Sequence, residues 1–363
     1  MKNTAARHTD ARIKVLVVDD SRTVCRFLEA TFSEDPSLEV VGMAHDPFEA
    51  RDLIKKVRPD VITLDVEMPR MDGVTFLKNL MRTDPIPVVM FSSWTSVGAT
   101  ATIDALQAGA VDFMPKHSAR SAVSLEDYIS ELIMKVKSAA TVNLRSESKL
   151  ATVGEVPDLT RCSEKLDRAQ NVSATINKLI AIGASTGGPE ALGVFLKGFE
   201  DRSSVLVVAQ HMPANFIESF AKRLDELSIL DVRVAQHGDR LAAGQVYLSP
   251  GDQHLKLFAD GDGYQWRLWG GDPVNGHRPS IDLLFESVAQ YAPHCSVGVL
   301  MTGMGEDGAA GLKAMKEGGA LTMIQDEASS AVWGMPGKAF STNAHDFDIH
   351  LHLLAPALNK LLK

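Results

Sequence analysis

LIAIGASTGGPE, residues 179–190, decides how the second half of the chain is read. A short apolar run, Leu179-Ile180-Ala181-Ile182, enters a turn made of Gly183, Ala184, Ser185, Thr186, Gly187 and Gly188, and Pro189 opens a helical pattern. The expected order is strand, tight turn, helix. Glycine reaches backbone angles closed to other residues and lets a ligand approach the main chain, while proline suits the first helical position. Ser185 therefore sits exposed at the end of a strand, beside helix N–H groups able to hold a developing oxyanion. A turn of this kind could also bind a phosphate and do no chemistry, so a reactive Ser185 needs partners.

Two further segments supply them. Val205–Ala209 is a buried-type strand ending in Gln210-His211-Met212-Pro213. Val297–Met301 enters a second glycine-rich turn, Thr302-Gly303-Met304-Gly305-Glu306-Asp307-Gly308, before a helix over Ala309–Glu317. Ser185, His211 and Asp307 thus each follow a strand of parallel type, and in one sheet all three fall on the carboxyl edge, where a nucleophile, a base and its orienting carboxylate must meet. Gly183–Gly187 also fits the G-x-S-x-G pattern of α/β-hydrolases, but that family runs Ser, Asp, His, and the order here is Ser185, His211, Asp307. His237, His254, His277, His294, His345, His350 and His352 remain open as alternatives to His211. The other expected elements are a helix over Phe216–Leu224, strands at Val232–Ala235 and Gln245–Leu248, a hairpin of His254–Phe258 with Tyr264–Trp269, a helix over Pro279–Tyr291, a strand at Leu321–Gln325 and a last helix at about Ile349–Leu362. Arg278, just ahead of a helix, either meets acidic flanks of a substrate or closes an internal ion pair.

The first part of the chain repeats the strand-to-helix rhythm. Strands are expected at 13–18, 40–42, Val61–Leu64, Pro87–Phe91 and Val111–Met114, with helices from Ser21 to Phe32, over Pro47–Val57, Val74–Met81 and Leu125–Lys137. Five strands alternating with five helices give a doubly wound parallel sheet whose crevice lies at the carboxyl ends of its strands. Asp19, Asp20, Asp65, Ser92 and Lys116 all fall there. Three converging carboxylates repel one another, which a hard divalent cation such as Mg²⁺ relieves, and a hydroxyl and an ammonium opposite them suit a phosphoryl group.

The whole is expected to be an α/β protein of two doubly wound parallel-sheet domains, 13–137 and 174–363, joined by a polar linker at 138–173 without apolar period. A chain of 363 residues with 45% hydrophobic and 23% charged residues fits that reading. No apolar run approaches the roughly 18 residues that span a bilayer, and MKNTAARHTDARIK lacks a signal-peptide core, so a cytoplasmic protein without membrane insertion is expected. Cys25, Cys162 and Cys295 have no metal-ligand spacing, which suits a reducing compartment. A net charge of −9 argues against nucleic acid as a partner.

Residues 13–137 resemble the receiver domain of two-component response regulators, a flavodoxin-like fold. The resemblance implies that Asp65 accepts a phosphoryl group from a histidine kinase. It implies that Asp20, Asp65 and the backbone carbonyl of Glu67 hold Mg²⁺, with Asp19 helping through water. Ser92 and Lys116 would read the phosphoryl group, and Phe113 would be the aromatic switch. Receivers usually carry Pro after the Lys; here Pro115 precedes Lys116 and His117 follows. Residues 176–361 resemble the catalytic domain of chemotaxis protein-glutamate methylesterases through GASTGGPEAL, AQHMP, HRPSID and LMTGMGEDGAAG. This implies phosphorylation-activated hydrolysis of γ-glutamyl methyl esters on chemoreceptor cytoplasmic helices, with release of methanol, and deamidation of particular glutamines. Matched by position, Ser185 is the nucleophile, His211 the base and then acid, Asp307 the group orienting His211, and the Thr186 and Met304 N–H groups the oxyanion donors, with no cofactor for the hydrolysis. The reading from another class is a phosphorylation-controlled binding protein whose glycine-rich turns hold an anion without turnover.

Overall fold

In the computed structural model the described residues are 12–93, 95–117, 124–142, 176–261 and 263–362, and they form two units. The first contains β1 (Ile13–Val18), β2 (Leu38–Ala44), β3 (Val61–Asp65), β4 (Val88–Ser92) and β5 (Asp112–Pro115), all parallel, in the order β2-β1-β3-β4-β5. Runs such as Val15 to Val18 are buried, as expected of strands covered on both faces. The chain goes from β1 to one side and then crosses to β3 on the other. The switch point therefore lies between β1 and β3, whose carboxyl ends carry Asp19, Asp20 and Asp65.

In chain order, helices Arg22–Ser33, Pro47–Val57, Gly73–Thr83 and Ser96–Gln107 lie between these strands and Leu125–Thr141 follows β5, with Ser96–Gln107 grouped in the second unit. Side chains start them locally: Ser21, Asp46, Asp72 and Ser124 each accept a backbone N–H of the first turn. Five helices were expected, but Ser96–Gln107 was not located, because SVGATATIDALQ is rich in small and β-branched residues and shows little 3.6-residue period. The helix Leu125–Thr141 runs past the expected domain end at 137, so residues 138–141 are helical, and the rest of the expected linker, from 143 to 173, lies outside the described residues.

The second unit has β6 (Leu179–Ala184), β7 (Val205–Gln210), β8 (Asp231–Val234) and β9 (Gln245–Leu248), then an antiparallel hairpin of β10 (His254–Asp260) with β11 (Gly263–Trp269). β12 (Ser296–Leu300), β13 (Leu321–Gln325) and β14 (Phe347–Ile349) complete a seven-stranded sheet in the order β14-β13-β12-β6-β7-β9-β8, every pair parallel. Helices Gly188–Gly198, Ala214–Leu227, Ile281–Tyr291, Ala309–Gly318, Met335–Ser341 and Leu351–Leu361 surround it. Two elements went unread. Met335–Ser341 carries Pro336 and Gly337 near its start, and β14 is three residues long, too short to show a period. Ile349, expected to start the last helix, instead ends β14. Among the described residues no helix is long and apolar enough to cross a membrane.

Candidate active site

The central strand β6 has β7 on one side and β12 on the other, and the chain leaves β6 toward β7 and later β12 toward β13. This is the switch point of the larger sheet, and its crevice opens where the loops after β6, β7 and β12 meet. Those loops carry Ser185, His211 and Asp307. His211 Nδ1 lies 3.2 Å from Ser185 Oγ, and His211 Nε2 lies 3.0 Å from Asp307 Oδ2. With Nε2–H donating to the carboxylate, the neutral ring presents the Nδ1 lone pair to the serine hydroxyl. The three residues expected on one edge are thus joined in one line of hydrogen bonds.

Asp307 is 1% exposed, yet it is rich in donors. Besides His211, its Oδ2 accepts from the Ile281 N–H at 2.7 Å, and its Oδ1 accepts from Ser280 Oγ at 3.1 Å, the Asp282 N–H at 3.2 Å and Asn275 Nδ2 at 3.1 Å. The two N–H groups open the helix Ile281–Tyr291, whose positive end favours a negative charge by up to about 2 kcal/mol when partly buried. Burial pushes the Asp307 carboxyl up, but the hydrogen bonds and charge, led by His211, outweigh it and hold the carboxyl below the ordinary range. For Asp282 the balance is reversed: burial, with the repulsion of Asp307, raises its carboxyl to about 6, against the Gly311 N–H that it accepts at 2.7 Å. Asn275 Nδ2 spans the two carboxylates, at 2.8 Å from Asp282 and 3.1 Å from Asp307.

Asn275 and Asp282 were not singled out in the sequence. Asp282 reads there as an ordinary acid in a first helical turn, and only its place in HRPSID hinted at more. Of the alternative histidines, His277 reaches the site, but its ring stacks on His211 at 3.8 Å and 15° and does not replace it. His254 serves one step further out, with Nδ1 accepting the Ser280 N–H at 3.1 Å. Arg278 is exposed, donates to the Gly271 carbonyl at 3.0 Å and, among the described residues, makes no ion pair.

The turn around Ser185 is held from behind. Gln210 Nε2 donates to the carbonyls of Ser185 at 3.0 Å and of His211 at 3.1 Å. The Ser185 N–H donates to the Thr302 carbonyl at 3.0 Å, and Thr302 Oγ1 donates to the Thr186 carbonyl at 3.0 Å. Thr186 follows Ser185 directly, and Met304 follows Gly303, whose backbone presses on the serine. A Cβ on Gly303 would lie 2.8 Å from Ser185 Cβ and 2.3 Å from Met335 Sδ. Gly303→Ala should therefore shift Ser185 and lower kcat by roughly 100-fold, since misplacement near 1 Å costs about that much. Circular dichroism should show a folded protein; wild-type turnover would mean that Met335 alone gives way.

In the first unit, Asp19 and Asp65 are buried and Asp20 is exposed, with ligand atoms of all three within 4.8 Å of one another. Lys116 Nζ lies 2.9 Å from Asp19 and 2.8 Å from Asp65. Burial raises the Asp65 carboxyl to about 6, against the hydrogen bond from Lys116. The Glu67 N–H donates to Asp65 Oδ1 at 3.2 Å, and the Glu67 carboxylate accepts from Ser93 Oγ at 3.0 Å. Ser92 ends β4, fully buried, and Phe113 is buried on β5 with Lys135 Nζ 5.4 Å from its ring centre. Pro115 ahead of Lys116 does not keep the lysine from the acids. His117 instead sets its ring against Tyr128 at 4.9 Å, and the Tyr128 hydroxyl donates to the Pro115 carbonyl at 3.0 Å. Three clustered carboxylates, all hard oxygen donors, fit a divalent cation such as Mg²⁺.

The seven-stranded parallel sheet with a Ser–His–Asp line in its crevice thus shares its chain with a five-stranded parallel sheet that carries an acid cluster. Residues 180–358 match the model of the CheB methylesterase family and residues 15–125 that of the response regulator receiver domain. A protein-glutamate methylesterase/protein-glutamine glutaminase 1 of Xanthomonas campestris is 46% identical over 95% of this chain and 96% of its own length. A protein-glutamate methylesterase/protein-glutamine glutaminase of Syntrophotalea carbinolica is 46% identical over 97% and 98%. The crystal structure of the Thermotoga maritima CheB methylesterase catalytic domain is 33% identical, covers 51% of this chain and 97% of that one, and has a TM-score of 0.48. The chain belongs to the protein-glutamate methylesterase/protein-glutamine glutaminase family.

Proposed function

We infer that this protein hydrolyses γ-glutamyl methyl esters on the cytoplasmic helices of chemoreceptors, deamidates receptor glutamines at the same site, and is switched on by phosphorylation. The observation that carries the hydrolase reading is the line from Ser185 Oγ to His211 Nδ1 and from Nε2 to Asp307. His211 takes the Ser185 proton as Oγ bonds to the ester carbonyl carbon, and the oxyanion is met by the N–H groups of Thr186 and Met304. As the tetrahedral intermediate collapses, His211 returns the proton to the methoxy oxygen and methanol leaves. Water, deprotonated by His211, then attacks the acyl-serine, His211 returns that proton to Ser185 Oγ as the acyl bond breaks, and the glutamic acid leaves and loses its remaining proton to solvent. A glutamine side chain follows the same course with ammonia as leaving group. Asp307 remains ionised throughout and keeps the Nε2–H tautomer in place.

In the first unit Asp65 is the proposed phosphoryl acceptor and a histidine kinase the donor, with Ser92 and Lys116 reading the group and Phe113 responding. Asp19, Asp20, Asp65 and the Glu67 carbonyl are the proposed Mg²⁺ site. Bound there, the ion would neutralise charge on the phosphoryl oxygens. The domain division 13–137, 138–173 and 174–363, with its first boundary moved past the helix that ends at Thr141, and a cytoplasmic location belong to the same proposal. A serine-reactive fluorophosphonate tests the hydrolase: it should label Ser185 alone, and His211→Ala should abolish labelling. Equal labelling of both proteins would remove His211 as the base.

A further inference from the structure

The β10–β11 hairpin has two unlike faces. Inward, Leu255, Leu257 and Trp266 are fully buried in the core cluster that includes Leu284, Phe285 and Val288 of the helix Ile281–Tyr291. On the other face, Lys256 pairs directly across the strands with the exposed Arg267, and the fully buried His254 with Trp269. Like charges opposite one another on a sheet face destabilise it. Neither cation makes an ion pair among the described residues. Each lies on an aromatic ring: Lys256 Nζ at 4.8 Å from the Trp269 centre, and Arg267 Cζ at 4.1 Å from that of Phe258. Trp269 is 50% exposed. Arg278, donating to the Gly271 carbonyl two residues beyond Trp269, adds a third unpaired cation. Among the described residues nearby, Asp260 is taken by Arg240 at 2.7 Å, and Asp252 and Asp272 are exposed.

Arg278 brings this face to the reacting groups, because it follows His277, whose ring stacks on that of His211 at 3.8 Å, and buried side chains tie the hairpin to the same site from within. The His254 ring lies 5.5 Å from that of Trp269, its Nδ1 accepts the Ser280 N–H at 3.1 Å, and Ser280 Oγ donates to Asp307 at 3.1 Å. We propose that Lys256, Arg267 and Trp269, continued by Arg278, form the surface on which an acidic helical segment of the substrate protein docks beside the ester being cleaved. Charge complementarity selects this occupant. Each turnover of the proposed reaction leaves a glutamate carboxylate, so a helix bearing several sites carries anions next to the ester still to be hydrolysed. The aromatic ring offers its apolar stem a flat contact. The proposal rests on the esterase reading above and adds to it how the protein substrate is recognised.

The test is the triple variant Lys256→Gln, Arg267→Gln, Arg278→Gln, assayed on methylated chemoreceptor membranes and on a small neutral γ-glutamyl methyl ester. KM for the membranes should rise about tenfold, with a flatter dependence on salt, as expected when interface charges are removed. Its kcat, the small-ester rate and the melting temperature should stay at wild-type values. The exchange Lys256→Arg with Arg267→Lys, which keeps both charges, should leave KM unchanged. An unaltered KM in the triple variant, or equal losses on both substrates, would overturn the proposal. Ser185→Ala separates the two readings: turnover by that protein would sink the esterase assignment itself, whatever the docking result.

Discussion

Ser185→Ala should lower the rate of methanol release by roughly 10⁴–10⁶-fold, His211→Ala should do nearly the same, and the double variant should lose little more, because members of one hydrogen-bonded set act as a unit. The expectation follows from geometry: His211 touches both partners through its two nitrogens, at 3.2 and 3.0 Å, so without it Ser185 has no base and Asp307 has no imidazole to orient. Asp307→Asn should cost less than either, yet still a large factor, since an amide can present a hydrogen to Nε2 and favour the wrong tautomer. Steady-state kinetics on methylated receptor membranes would measure all four proteins. Losses that multiply in the double variant would show that Ser185 and His211 work independently, and the shared mechanism would have to be abandoned.

The second large effect concerns Asp65. A small phosphodonor with Mg²⁺ should raise methanol release by the full chain roughly 5–150-fold, the range that corresponds to couplings of about 1–3 kcal/mol in allosteric proteins. Asp65→Ala should remove the response. Lys116 now bridges Asp19 and Asp65 at 2.9 and 2.8 Å. A phosphoryl group would add about two negative charges beside it, and under the proposed roles this would redistribute that ammonium, recruit the Ser92 hydroxyl and let Phe113 repack. If the unmodified receiver acts as a restraint, a fragment starting near residue 174 should be active without donor. A fragment as slow as the unphosphorylated chain would mean that the receiver contributes something positive, and restraint would be the wrong description.

How much of this was legible depends on which residues carry regular periodicity. Ser185, His211 and Asp307 could be read because each follows a run of buried apolar residues, and parallel strands put their carboxyl ends on one edge. Asp19, Asp20, Asp65, Ser92 and Lys116 were legible for the same reason. Asn275 was not, and His277 was legible only as an alternative to His211. They belong to an irregular loop, closed by the bridge between Val274 and His277, and only the folded path brings an amide onto Asp307 and a ring onto His211. Asp282 was hidden by a local explanation that is also true, since an acid suits a first helical turn. The helix Ser96–Gln107 lacked a period, and β14 lacked length. At the departure Pro115-Lys116-His117 the lysine is positioned by β5 and by the Lys116 N–H donating to the Ser92 carbonyl at 2.8 Å.

The central claim is that an ester of a receptor glutamate passes through a covalent bond to Ser185. Rapid-quench mass spectrometry tests it most directly: phosphodonor-treated protein is mixed with a methylated receptor peptide, stopped in acid within the first turnover, and the peptide containing Ser185 is weighed. The account predicts an adduct on Ser185 of the receptor peptide's mass less one methanol, appearing with the methanol burst, decaying as the free glutamate forms, and absent from Ser185→Ala. Full methanol release with no adduct on Ser185 at any time, or undiminished release by Ser185→Ala, would contradict it.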